Sequence, residues 1–246
     1  MKKPGVNLTE NQVIPDRPQY KCSICRDFGF VHPLKEDGQP DYTQIVDCDC
    51  VKAVRAKMRL DSMVRWCELP EATVHMTFEN YKVSPKVKEV YTAALEMAEG
   101  KPEKPFLTMM GKSDLGKTHL LVAICRRRLA QGKPARYVYV PILLEELRSG
   151  FRGGGDGTYE ERWLMFKTVE LLALDDLGTE NPTPWVQEHL DTLIDYRVMH
   201  ALPTVITTNL LPDELTPRIA NRLQRSGQVV IVSAPPYSAV KGKAVK

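Results

Sequence analysis

No apolar run in this chain approaches the length a bilayer requires. The longest clear one, Leu120–Cys125, falls far short of the roughly 20 residues of a membrane-spanning helix. The opening stretch, MKKPGVNLTENQ, has a positive start but no apolar segment behind it, so no targeting signal is read there and a cytosolic protein is expected. An excess of one charge is also missing. The net charge is +3 with 26% charged residues, so any nucleic-acid surface would have to come from local clustering. There is no internal repeat. Low complexity is confined to Gly153-Gly154-Gly155-Asp156-Gly157, read as a flexible loop. Beyond residue 50 only Cys67 and Cys125 remain of 6 cysteines, and each reads as a small buried apolar side chain.

The other cysteines crowd together as Cys22, Cys25, Cys48 and Cys50, a C-x2-C and a C-x-C separated by 22 residues. In a reducing compartment such spacing points to a metal rather than to disulfides. Four thiolates fit a closed, tetrahedral, structural Zn²⁺ site with no open position for chemistry; free thiols and an iron–sulfur cluster are the alternatives. His32 lies in the same segment as a spare ligand or a surface side chain. The segment has too few apolar residues to fold on a core of its own, so a metal staple suits it.

The expected organisation is a flexible tail (1–19), a zinc-binding module (20–52), a linker helix (53–70), a nucleotide-binding domain (71–237) and a basic tail (238–246). Ser84-Pro85 reads as a helix start and Gly100 as its end. Five short apolar runs, Phe106–Met110, Tyr137–Val140, Leu171–Leu174, Thr204–Thr207 and Val229–Val232, alternate with helical patterns. Near-continuous apolar strands separated by helices imply a parallel sheet covered on both faces. Trp185–His200 is one such helix, with Val186, Leu190, Leu193, Ile194 and Val198 facing inward.

GKSDLGKTHL places Gly111, Gly116, Lys117 and Thr118 in the pattern G-x-x-x-x-G-K-[ST], after a predicted strand and at the start of a predicted helix. Glycines let the backbone wrap closely, so its N–H groups face phosphate oxygens at a helix N-terminus. Lys117 would reach the β and γ phosphates of ATP, and the Thr118 hydroxyl would bind Mg²⁺. LLALDDLG delivers Asp175 and Asp176 at the end of an apolar strand, where ligands bind in parallel sheets. Asp175 would hold Mg²⁺ through water, and Asp176 would orient or deprotonate the attacking water. Asn209, just past the strand in PTVITTNL, is either a water-positioning amide or a turn former. In TPRIANRLQRSG, Thr216 caps a short helix, Pro217 starts it and Gly227 ends it. Its Arg218, Arg222 and Arg225 share a face that is either merely solvated or offered to the nucleotide of a neighbouring subunit.

In this order the motifs resemble the DnaC/IstB branch of AAA+ ATPases, over roughly residues 70–237. That branch includes replicative-helicase loaders and transposition helper ATPases. The resemblance implies an α/β, AAA+ P-loop fold: a three-layer α/β/α arrangement with a five-stranded parallel sheet and no large lid, behind the small four-cysteine zinc module. It implies ATP and Mg²⁺ as ligands, Asn209 as sensor 1 and Arg222 as arginine finger, hence self-association. Phe78 and Tyr81 of TFENY resemble the segment that enters the ATPase domain near the base; Phe78 and His119 are expected among the nucleotide contacts. Many AAA+ ATPases carry Glu where this chain has Asp176, one methylene shorter, which implies slow hydrolysis. Tyr237-Ser238 departs from the Ser-Tyr-Arg stretch that loaders carry there, so the arginine of that stretch has no assigned counterpart, Lys241 included.

The resemblance further implies partners: a hexameric replicative helicase on residues 20–66, and single-stranded DNA on the element carrying Arg148, Arg152, Arg162 and Lys167. Tyr159 or Trp163 would stack on a base there, the latter being otherwise a core residue. The leading expectation is therefore an ATP-dependent helicase loader. A transposition helper ATPase shares the motor. From other classes, a small-molecule kinase or an ATP-binding module with negligible turnover shares the phosphate loop.

Overall fold

A computed structural model of the chain describes residues 20–151, 159–179 and 183–236, with backbone only for residues 146 and 148–151. The expected tail, the Arg148 side chain, Arg152, the glycine loop, Tyr237, Ser238 and Lys241 lie outside what is described. The chain divides into two compact units, Met1–Met58 and Arg59–Lys246.

In the first unit, β1 (Phe30–Val31) pairs antiparallel with β2 (Val46–Asp47). Helix α1 spans Asp49–Cys67 and so begins inside the cysteine segment, before Ala53. The reason is local. The carbonyl of Cys48 accepts from the Val51 and Lys52 amides, which starts the helix directly behind the second cysteine pair.

The second unit is built on a parallel sheet. After α2 (Lys88–Glu99) come β3 (Phe106–Met110), α3 (Lys117–Ala130), β4 (Ala135–Tyr139), α4 (Val140–Phe151), α5 (Tyr159–Thr168), β5 (Leu171–Leu177), α6 (Pro184–Met199), β6 (Thr204–Thr208), α7 (Pro217–Ser226) and β7 (Gly227–Ile231). Strand order is β4-β5-β6-β3-β7, all pairs parallel. Each expected apolar run overlaps one of these strands. Side chains along a strand alternate between two cores. Leu107 and Met109 join residues of α2 and α3 on one face, whereas Phe106 and Met110 join residues of α4 to α7 on the other. The result is a three-layer arrangement with both faces of the sheet buried.

Helix α2 starts later than Ser84-Pro85 suggests. Residues 85–87 form a turn closed by the Val87 amide on the Ser84 carbonyl, and the helix follows from Val87. Gly100 ends it in the left-handed conformation (φ 73°). Helix α7 has Thr216 as its cap, accepting from the Ile219 amide, and Pro217 in its first turn. Arg197 is fully buried on α6. It donates to the Phe166, Lys167, Val169 and Pro203 carbonyls and to Thr204 Oγ1, tying the end of α5 to the start of β6. Burial lowers its pKa to about 9. Among the described residues no helix is long and apolar enough to cross a membrane.

Candidate functional site

The C-terminal end of β3 runs directly into the phosphate loop, and two glycines there have geometries only glycine tolerates. Gly111 has φ +133°, and a Cβ on it would lie 2.6 Å from the Val232 carbonyl oxygen. Gly116 has φ +80°, and a Cβ on it would lie 2.9 Å from the Tyr81 ring. Lys117 opens α3. Its ammonium donates to the Gly111 carbonyl at 2.6 Å, the Lys112 carbonyl at 2.7 Å and Asn209 Oδ1 at 3.0 Å. Burial lowers its pKa, partly offset by Asp176 and Asp175.

Strand β5 brings Asp175 beside this loop. Thr118 and Thr207 hydroxyls donate to its Oδ1 at 3.0 and 2.6 Å, and the Tyr137 hydroxyl donates to Oδ2 at 2.9 Å. Burial, then the Asp175 charge, raises the Tyr137 pKa. The ladder slips between Leu174 and Leu177, and Asp176 sits there at φ +64°. A left-handed aspartate costs about 1–2 kcal/mol; hydrogen bonds hold it, among them Thr179 Oγ1 to its carbonyl at 2.9 Å. Its amide donates to Thr207 Oγ1 at 2.8 Å, and its Oδ1 accepts from Asn209 Nδ2 at 2.8 Å. Burial, then Asp175, raises the Asp176 pKa.

Gly116, Lys117, Thr118, His119, Asp175, Asp176 and Asn209 line one cleft of about 710 Å³, a size that suits a nucleotide. Its far wall is His75, Met76, Asn80, Tyr81 and Lys82. His119 Nε2 lies 2.8 Å from the Thr77 carbonyl, and its ring meets Tyr81 edge-on. Burial raises the Tyr81 pKa to about 12. Phe78 requires a correction: it does not line the cleft. It is buried in the core, edge-on to Tyr91 and under the Arg127 guanidinium, so Tyr81, three residues on, presents the aromatic face to the cleft instead.

Arg222 is also absent from the cleft of its own chain. It lies on α7 with Nε bound to Asp195 Oδ1 of α6 at 2.7 Å. Arg162 and Lys167 are on α5; Lys167 lies over the Trp163 and Tyr196 rings, and Trp163 is half-buried against the α4–α7 core.

In the first unit the Sγ atoms of Cys22, Cys25, Cys48 and Cys50 all lie within 4.8 Å of one another. Cys22 and Cys48 are 3.7 Å apart and Cys25 and Cys50 3.4 Å. Tetrahedral Zn–S bonds of about 2.3 Å require sulfur separations near 3.8 Å, so the four thiols fit that ion. Cys48 and Cys50 sit at the N-terminal end of α1; the neighbouring Cys25 thiol, then burial, raises the Cys50 pKa. The Gly29 amide donates to Cys25 Sγ. The Cys25 and Ile24 amides lower the Cys22 pKa to about 7. His32 is outside this set: its Nδ1 lies 2.7 Å from the Gln44 carbonyl.

Thr207 and Tyr137, both bonded to Asp175, are the site positions that the sequence did not single out, and Tyr81 was named only with its segment. Thr207 and Tyr137 read as strand residues. Their only signal was two-residue alternation, which puts Tyr137 and Tyr139 on one face of β4. Tyr81 was legible only as part of TFENY.

The family model described as "IstB-like ATP binding protein" matches residues 36–217. The chain belongs to this family. The replicative helicase loader DnaI of Bacillus subtilis is 28% identical over 211 residues, 79% of this chain and 66% of that protein. The replicative helicase loader DnaC of Escherichia coli is 27% identical over 150 residues, 60% of each. The chain thus spans less than two thirds of the length of these relatives. A crystal structure of DnaI shares the fold with TM-score 0.56 and 26% identity, over 69% of this chain and 94% of that one. A DnaC helicase loader structure, at 19% identity and TM-score 0.58 over 67% and 100%, shows the fold alone.

Proposed function

We propose that this protein is an ATP-dependent loader of a replicative helicase, in which ATP binding and hydrolysis switch its grip on the helicase and on single-stranded DNA. The convergence of Lys117, Thr118, Asp175, Asp176 and Asn209 in one cleft carries the ATPase part of this reading. The similarity to the DnaI and DnaC loaders supports the loading role.

The geometry supports the following roles. Loop amides and Lys117 bind the phosphates. Thr118 and Asp175 offer hard oxygen ligands suited to Mg²⁺, which when bound neutralises charge developing on the phosphates. Asn209 and Asp176 orient water. The water oxygen adds to the γ-phosphorus, the bond to the β–γ bridging oxygen breaks, and ADP and inorganic phosphate leave. Asp176 takes the water's proton and returns it to solvent. Its raised pKa makes it a better base than an ordinary aspartate, while its short side chain supports slow turnover. Arg222 acts on the nucleotide of a neighbouring protomer.

Cys22, Cys25, Cys48 and Cys50 would hold Zn²⁺, which when bound staples the first unit. That unit exposes Ile24 (70%), Phe28 (69%), Leu34, Tyr42 and Ile45, and so much exposed apolar surface supports a protein partner there. Single-stranded DNA would meet the α4–α5 region through Arg162 and Lys167, by backbone contacts that weaken with salt. The family match to IstB-like proteins favours a second reading, a transposition helper ATPase with the same motor.

The test measures phosphate release by the full chain with and without single-stranded DNA, together with co-purification against a hexameric replicative helicase with ATP present. DNA-stimulated release and a stable helicase complex are expected. DNA-independent release with no helicase complex refutes the loader reading; capture of a transposase instead selects the helper.

A further inference from the structure

Helices α6 and α7 share a network of two carboxylates and two guanidiniums. Asp195 accepts Arg222 Nε on Oδ1 at 2.7 Å and Arg218 Nη2 on Oδ2 at 2.6 Å. Asp191, one turn earlier on α6, has Arg218 Nε at 3.8 Å and, among the described residues, a buried Oδ1 without a hydrogen-bond partner. The acids are the fixed side of this network. The Asp191 and Asp195 side chains are 12% and 18% exposed, against 61% for Arg218 and 46% for Arg222. Both arginines hold the Asp195 pKa down against the effect of its burial.

The atom used by Arg222 is the informative detail. A guanidinium binds a carboxylate best through two parallel N–H bonds, yet here Asp195 engages Nε, the inner nitrogen. Each oxygen of Asp195 serves a different arginine, so Arg218 competes with the bidentate alternative for Oδ2. Among the described residues the terminal nitrogens of Arg222 have no partner. An arginine held by its inner nitrogen has its plane fixed and its terminal fork free, the geometry that a phosphate oxygen pair accepts. Left unheld, an exposed arginine would spread over many rotamers and lose that orientation.

We infer that Asp195 is a positioning residue for Arg222: it fixes the guanidinium plane so that the terminal nitrogens face the nucleotide of the adjoining protomer, and Arg218 keeps Asp195 from closing on them. The inference rests on the proposed action of Arg222 in trans and goes beyond it by naming what aims the side chain.

The test uses the full chain at concentrations that support self-association, with ATP, Mg²⁺ and oligo(dT), and reads phosphate release. Arg222→Ala is expected to lower kcat by about 10³-fold or more. Asp195→Ala is expected to lower kcat by about 10–100-fold with little change in KM, as a misaimed group does, and to add less than about twofold in the Arg222→Ala background. Asp195→Asn, which keeps the shape and one acceptor, falls between. Mixing supplies the readout a purely structural role would not move. Lys117→Ala protomers lack a working phosphate loop but carry a correctly held Arg222, so they restore turnover to Asp195→Ala protomers. Absence of that rescue, or an equal loss of rate from Asp195→Ala with and without Arg222, overturns the inference while leaving the action of Arg222 intact. An unchanged kcat in Arg222→Ala overturns both and marks the trans reading as the one at fault.

Discussion

Thr207→Val replaces a hydroxyl by a methyl of nearly the same shape, at a position that is 1% exposed. Two bonds end there. The hydroxyl donates to Asp175 Oδ1 at 2.6 Å and accepts from the Asp176 amide at 2.8 Å. Losing a hydrogen bond to an ionised group costs about 1.5–3 kcal/mol, and a buried N–H left without a partner costs about 1–3 kcal/mol. Asp175 keeps its Thr118 and Tyr137 donors, so the lower part of the first range applies. The sum is a loss of about 2.5–5 kcal/mol, read as a shift of the urea midpoint at unchanged slope. Thr207→Ser restores both bonds and should recover most of it.

The same substitution should lower kcat more than it raises KM. Asp176 stands at φ +64°, and its amide bond to Thr207 is one of the bonds that hold its backbone there, beside Thr179 Oγ1 on its carbonyl. Released from that bond, the backbone relaxes toward an ordinary strand and the carboxylate moves off the line of the attacking water, a displacement expected to cost about tenfold or more. If Thr207→Val unfolds within about 0.5 kcal/mol of the parent and hydrolyses ATP at the same rate, the hydroxyl does not hold the two carboxylates and the reasoning is refuted.

Lys117→Ala should abolish measurable ATP binding in titration calorimetry, because the buried ammonium that faces the phosphates is gone; binding within about threefold of the parent refutes its role. Gly116→Ala forces a left-handed alanine against the Tyr81 ring, at about 1–3 kcal/mol of strain, and should weaken ATP binding and lower the melting temperature together; a parent-like protein contradicts the geometry. Asp176 has a folded pKa above its unfolded one, so its stabilising contribution is lost as pH rises through the folded value and the ionised group destabilises the fold at neutral pH. Asp176→Asn should therefore melt higher at pH 7 and hydrolyse ATP far more slowly, with the gain in melting temperature vanishing as the pH falls below about 4; a lower melting temperature at pH 7 refutes the raised pKa. Metal analysis of the purified chain should find one zinc, and Cys48→Ser should remove it and raise amide exchange over residues 20–58 while leaving ATP affinity unchanged; protection that persists without the metal refutes the staple.

The inner strands were legible because they are buried on both faces and so read as near-continuous apolar runs, as Phe106–Met110 does. The phosphate loop was legible because its chemistry is local: a strand, glycines and a helix start within ten residues. What could not be read depends on pairs distant in sequence. Thr207 and Asp175 meet across β5 and β6; Asp195 and Arg222 meet across α6 and α7. The spacing of the arginines in RIANRL shows which face they share, but not that an acid 27 residues earlier holds one of them. Phe78 and Tyr81 look alike in TFENY, and both pack against Tyr91; what separates them is that Phe78 is buried in the core while Tyr81 lines the cleft. The start of α1 was misplaced because cysteine is a poor helix signal, whereas here the Cys48 carbonyl opens the helix.

Sheet order explains why Asn209 can serve both halves of the site. Strand β3 runs into the phosphate loop and β5 carries the carboxylates; Thr118 reaches Asp175 directly, whereas Lys117 bonds Asn209. Strand β6 lies between β3 and β5, and its end places one amide side chain in the gap. Asn209 accepts from Lys117 on Oδ1 and donates to Asp176 through Nδ2, so the two ends of a single planar group report on opposite sides of the cleft. An aspartate of the same size could accept from Lys117 but would repel Asp176, and a leucine would do neither. Only a group with a donor and an acceptor fixed in one plane satisfies both neighbours. A γ-phosphate drawn to Lys117 competes with Asn209 Oδ1 for the same ammonium, and any turn of the amide that follows also moves its bond to Asp176. The groups proposed to orient water are thereby coupled to the proposed phosphate site through one side chain.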